Sequence, residues 1–139
     1  ERDTSVLASE IRPVLQGHKV DLVLQGHDHT YGRRADEDAA LPQYISSVAG
    51  PKQYRLSAQA RATMKPTAED TQLFQVLRLD DKGLRYEART ATGRLYDAFQ
   101  IRRDGQGAKH FSEISEGRIP QRDCPRPVSP KGRDDRCWE

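Results

Sequence analysis

Three short apolar and β-favouring runs, Leu73–Leu79, Leu84–Ala91 and Leu95–Ile101, stand close together in the middle of the chain. Asp80-Asp81-Lys82-Gly83 separates the first two, and Thr92-Gly93 the last two. Both spacers are strong turn signals. Strands joined by such short turns form antiparallel hairpins, so the region is predicted to be a meander. Within its second strand Leu84, Tyr86 and Ala88 alternate onto one face, which marks the side turned to a core.

The flanks differ in kind. Thr4–Gln16 places Val6, Leu7, Ile11, Val14 and Leu15 at helical spacing, with Thr4 or Ser5 as N-cap and Gly17 as the stop. Pro13 is expected to kink this helix. Val20–Gln25 is a short, nearly continuous apolar run. Such a run predicts an interior strand covered on both faces. Gly26 ends it, and the polar stretch to Asp38 reads as loop. Tyr44–Val48 is a further strand, closed by Gly50-Pro51, and residues 55–70 read as a surface loop with one helical turn. From Arg102 onward the patterning disappears. The expectation is a patterned unit over residues 1–103 and an irregular polar tail over 104–139.

Only 35% of the 139 residues are hydrophobic while 32% are charged, so the core is small or part of the chain packs against something else. The net charge of +2 comes from the tail: residues 1–101 hold 14 basic and 14 acidic groups, and residues 102–139 hold 9 and 7. That balance is too mixed for a phosphate-tracking surface and argues against nucleic acid as a partner. No apolar run approaches the roughly 20 residues of a membrane span. The first residue is Glu1 and the sole methionine is Met64, so a truncated or processed piece of a longer chain is expected. Cys124 and Cys137 either close a small disulfide loop, pointing to an oxidising periplasmic or secreted setting, or remain surface thiols.

The chemistry concentrates in Gly26-His27-Asp28-His29, directly after the apolar run. On an extended backbone, side chains at i and i+2 share a side, about 6–7 Å apart at Cα. Two imidazoles so placed can serve one metal ion or one each of a pair. The position is also apt, since open α/β sheets gather ligands at the carboxyl ends of their strands. A solvated His-x-His turn is the alternative. His18 reads as a helix cap or surface residue, and His110 as a tail residue. Arg33 and Arg34 either attract an anionic substrate or pair with Asp36, Glu37 and Asp38. Lys52 either contacts a phosphate or is a solvated loop lysine.

The run from His18 through Gly26-His27-Asp28-His29 to Arg33 resembles the last metal-binding block of calcineurin-like metallophosphoesterases of the purple acid phosphatase type. Tyr44–Lys52 resembles the strand and Gly-Pro-Lys loop that follow it, and Thr92–Phe99 resembles the terminal strand of bacterial members. The resemblance implies the C-terminal portion of a two-sheet αββα sandwich, here β-rich with one N-terminal helix. It implies a phosphate-ester hydrolase with two metal ions of the iron, zinc or manganese type. His27 would bind one ion and His29 the other; Gly26, Asp28, Tyr31, Arg33 and Lys52 would support the site or meet substrate. The family's remaining ligands come from upstream aspartate, Gly-Asp and Gly-Asn-His blocks. This chain contains no asparagine and no Gly-Asp pair, so it lacks most of the ligand shell and needs the N-terminal half of the domain as its partner. The competing expectation is a non-catalytic folded remnant or binding module with at most weak metal binding.

Overall fold

The computed structural model describes residues 4–34 and 42–124. The architecture is mixed α/β and rich in strand: two four-stranded sheets and two short helices.

Helix α1 (Thr4–Gly17) contains Pro13. It stops at Gly17, as expected, and a Schellman turn closes its end. The Val20 N–H reaches the Leu15 carbonyl at 3.0 Å and the Lys19 N–H reaches Gln16 at 2.9 Å, with Lys19 at φ +52. Strand β1 (Leu22–Gln25) follows, then β2 (Tyr31–Arg34), β3 (Gln43–Ser46), helix α2 (Ala58–Thr63) and β4 (Thr67–Ala68). Their order in the first sheet is β1-β3-β2-β4, with β1 parallel to β3 and the other pairs antiparallel. Ser57 caps α2 by accepting the Ala60 N–H at 3.1 Å.

The second sheet is the predicted meander, extended by one strand: β5 (Leu73–Asp80), β6 (Gly83–Thr90), β7 (Leu95–Arg103) and β8 (Lys109–Glu113), all antiparallel and in sequence order. In the β5–β6 turn the Asp80 carboxylate accepts the Lys82 and Gly83 N–H groups at 2.8 and 3.0 Å. Gly83 has φ +144, and a Cβ there would stand 2.0 Å from the Ile101 carbonyl oxygen, so no other residue fits. Leu84, Tyr86 and Ala88 are buried together, as their alternation predicts.

The inner faces of the two sheets form one core. Tyr31, Ile45 and Ala68 from the first sheet meet Leu73, Leu84, Tyr86, Tyr96, Phe99 and Ile101 from the second. Tyr31 packs edge-on to Tyr96 at 5.8 Å, and Tyr86 stacks on Phe99 at 4.9 Å. Charge also crosses the gap. Arg33 on β2 is only 2% exposed and its Nε donates to Asp97 on β7, fully buried, at 2.8 Å. Its Nη2 reaches Glu113 at 2.6 Å. Arg118 bridges the same two carboxylates at 2.8 and 2.7 Å, and the Tyr31 hydroxyl donates to Asp97 at 2.7 Å. Burial works against the Arg33 charge, but Asp97 and Glu113 outweigh it and hold the guanidinium pKa above its ordinary value. Burial, aided by Tyr86 and Asp97, pushes the Tyr31 phenol well up.

A register shift in the β6–β7 ladder explains how Asp97 reaches this place. Ala88 pairs with Asp97 but Arg89 pairs with Leu95, so Tyr96 is an extra residue. The bulge turns Tyr96 and Asp97 inward together, and both are buried.

Several expectations need correction. Residues 31–34 are a strand, not loop. The apolar run of β1 is not covered on both faces: Leu24 is 52% exposed, and among the described residues nothing pairs with the second edge of β1. Ile11 and Val14 of α1 are exposed as well. The 55–70 segment is not a surface loop throughout, because Leu56, Thr67, Ala68 and Glu69 are buried. Nor is the polar segment after residue 103 irregular throughout. β8 pairs with β7, the Ile119 N–H bonds the Leu95 carbonyl at 2.8 Å, and Ala68 bridges Arg122. Glu69 gathers that end of the chain. Its carboxylate accepts from the backbone of Leu56 and Cys124 at 2.8 Å each, and from Arg55 and Arg61. Cys124 is disulfide-bonded; the chain's other cysteine, Cys137, lies outside the described residues. So do Asp36, Glu37, Asp38 and Trp138.

Two outcomes follow. Arg33→Met leaves Asp97 with one cation fewer, and urea denaturation should show a loss of about 3–5 kcal/mol, with the double variant Arg33→Met/Asp97→Leu recovering much of it. Burial raises the Glu69 pKa, but the donors around it outweigh burial and hold it below the ordinary 4.5. The stability it contributes is complete above that unfolded value and is lost as pH falls through the lower folded one. The fall in urea midpoint between neutral pH and about pH 3 should therefore be shallower in Glu69→Gln than in the native chain.

Candidate metal centre

The turn after β1 is tight rather than extended. The Asp28 N–H bonds the Gly26 carbonyl at 3.0 Å across a three-residue turn, and His27 at its centre has φ +77. This matches the rare, strained γ-turn. A side chain with a Cβ costs about 1–2 kcal/mol there relative to the ordinary region. The expectation that His27 and His29 project from an extended backbone is corrected: residues 27–30 form a bend.

His29 is held from several sides. Its Nδ1 lies 2.7 Å from the Lys52 carbonyl oxygen. A carbonyl only accepts, so Nδ1 carries the proton and the Nε2 lone pair of the neutral ring is left for another partner. The His29 carbonyl accepts the Tyr54 N–H at 2.8 Å, and the two rings lie 4.9 Å apart. An imidazole whose Nδ1–H is bound by a backbone carbonyl is the usual form of an Nε2 metal ligand. In this respect the residues fit a metal.

The donor set stops short of a full shell. Among the described residues, no group of three or more His, Cys, Asp or Glu side chains stands together to hold an ion. Asp28 shares the turn, and its backbone N–H makes the turn's hydrogen bond. Tyr31 and Arg33 point into the core network described above, not toward the histidine turn. Lys52 takes part through its carbonyl, while its ammonium lies 5.0 Å from the Tyr54 ring centre. His110 pairs with Asp104 at 3.0 Å at the β7–β8 hairpin. His18 closes the end of α1, its N–H bonded to Val14 at 3.0 Å.

Sequence reasoning missed Gln53 and Tyr54, which build the loop around His29. Gln53 is 3% exposed; its amide Nε2 donates to the Gly50 carbonyl at 2.7 Å and to Val48 at 3.4 Å. The one signal was position: a polar residue directly after Gly-Pro-Lys.

A purple acid phosphatase of Arabidopsis thaliana, Purple acid phosphatase 17, is 42% identical to the chain over 53 residues. The match takes in 38% of this chain, which spans about 15% of that curated relative's length. No protein-family model matches the chain. The partial identity points to a relationship of the metallophosphoesterase kind. The relative is a plant protein, so the bacterial character read into Thr92–Phe99 gains nothing from it.

If His27 is kept in its turn for its ring rather than for folding, His27→Gly should raise stability by about 1 kcal/mol in thermal or urea unfolding, since glycine takes positive φ freely.

Proposed function

We propose that the chain is part of a metal-dependent hydrolase of phosphate esters, with His27 and His29 each serving one of two ions of the iron, zinc or manganese type. The observation that carries this reading is the His29 Nδ1–H donated to the Lys52 carbonyl, which leaves Nε2 ready to coordinate. The partial identity to a purple acid phosphatase supports the same chemistry. When bound, such a metal pair polarises the ester and makes water a nucleophile at neutral pH. The chain's own contribution is to place His27 and His29 at the carboxyl end of β1 and to hold the His29 ring.

The carboxylates that such a centre needs come, in this reading, from an N-terminal half of the domain. The second edge of β1, unpaired among the described residues, supports that arrangement, as does Leu24 exposed on that strand; Ile11 and Val14 of α1 add exposed apolar surface. Gly26 and Asp28 then shape the turn, and Lys52 acts through its carbonyl. The disulfide at Cys124 supports a periplasmic or secreted setting. No helix among the described residues is long and apolar enough to cross a membrane. The second reading, a non-catalytic module with weak metal binding, draws on the lack, among the described residues, of any group of three or more His, Cys, Asp or Glu side chains placed to hold an ion.

Titrating zinc or manganese into the 139-residue chain should shift the ring resonances of His27 and His29 with weak affinity. His29→Ala should remove the effect. The same chain should hydrolyse p-nitrophenyl phosphate no faster than buffer with metal. Unmoved histidine signals at millimolar zinc would sink the metal reading. Turnover by the chain alone would show a more complete centre than the described residues hold.

A further inference from the structure

We propose that Gln53 is the positioning residue of this site: it fixes the 48–53 loop so that the Lys52 carbonyl takes the Nδ1 proton of His29, and so selects Nε2 as the nitrogen offered to a metal. The proposal rests on the reading of His29 as a ligand.

Gln53 is a nearly fully buried amide in a loop whose other residues, 48–52, are exposed or half-buried. Its Nε2 spends both protons inside that loop, on Gly50 and Val48. Its Oε1 is buried and has no hydrogen-bond partner. The opposite orientation would set Oε1 against two carbonyl oxygens, so the neighbours fix the amide as it stands. A methionine or leucine of similar size would fill the space without burying an orphan acceptor. What the amide adds over an apolar residue is the pair of donated bonds, and those bonds close the loop from residue 48 to residue 53.

The residues on either side of Gln53 hold His29. Lys52 receives its ring proton at 2.7 Å, and Tyr54 donates its N–H to the His29 carbonyl and packs ring to ring. The Gln53 side chain thus anchors the backbone between two contacts on the histidine. A neutral imidazole in water favours the proton on Nε2, the form that cannot ligate through that atom. Only a well-placed acceptor at Nδ1 reverses this preference. Placing it is the work of the loop, and the Lys52 ammonium takes no part.

Long-range nitrogen–proton correlation spectra of the metal-free chain read the tautomer directly. In the native chain His29 should be protonated at Nδ1. In Gln53→Met, with the fold checked by circular dichroism, His29 should move to the Nε2-protonated form while His18 and His110 stay as they were. Zinc affinity should fall roughly tenfold. Gln53→Asn, which retracts the amide from both carbonyls by one methylene, gives the same readout should the methionine variant unfold. A native His29 protonated at Nε2, or a folded variant with an unchanged tautomer, overturns the proposal. A tautomer shift in proteins that never bind zinc would retire the metal reading and leave the positioning role standing. Zinc affinity lost at constant tautomer would do the reverse.

Discussion

The Arg33–Asp97 pair is the contact on which the two-sheet arrangement depends. The first sheet offers the core only Tyr31, Ile45 and Ala68 as buried apolar side chains. That is a thin surface for a sandwich, and a buried guanidinium on the same strand would repel the second sheet if it met no anion. Instead it meets Asp97 and Glu113, with Arg118 completing a cluster of two cations and two carboxylates. Net charge is neutralised and directional bonds tie β2 to β7 and β8. Such a cluster is not a large source of net stability, since desolvation offsets much of the attraction. Its value lies in register: with side chains two residues apart on β2 serving Asp97, Tyr31 through its hydroxyl and Arg33 through its guanidinium, a slip of one residue would expose both.

Much of the fold was legible because local signals agreed. The three meander strands, their turns and the inward face of β6 follow from alternation and turn residues. What failed were the places where long-range partners decide. Tyr-Gly-Arg-Arg looked like loop because glycine and two arginines disfavour a strand, yet Asp97, more than 60 residues away, draws Arg33 inside. The charged, glycine-containing stretch after residue 103 carries little apolar pattern, and β8 is held by its ladder to β7 and by Glu113. β1 read as interior because its residues are apolar on both sides, which is a statement about the environment it wants rather than the one it has among the described residues.

At the candidate site, sequence located the histidines and left their surroundings open. The Gly-His-x-His pattern says nothing of which ring nitrogen is free, and that is decided by a backbone carbonyl 23 residues away. Nor does it reveal that His27 sits at positive φ. Backbone groups carry no residue identity, so a loop that works through a carbonyl and a buried amide leaves almost no trace in the letters. Tyr31 and Arg33, by contrast, looked like site residues through proximity in sequence, and strand alternation sends them into the core.

The extra residue in β7 has a further meaning for how this chain can vary. Ahead of Tyr96 the ladder to β6 is in one phase, and after it in the other. Removing Leu95 or Tyr96 would allow an unbroken ladder while reversing which side chains face inside on one side of the cut. Substitution along that stretch is tolerable wherever size and polarity are kept, whereas a change of length is not. Counting, more than chemistry, is what drift must respect there.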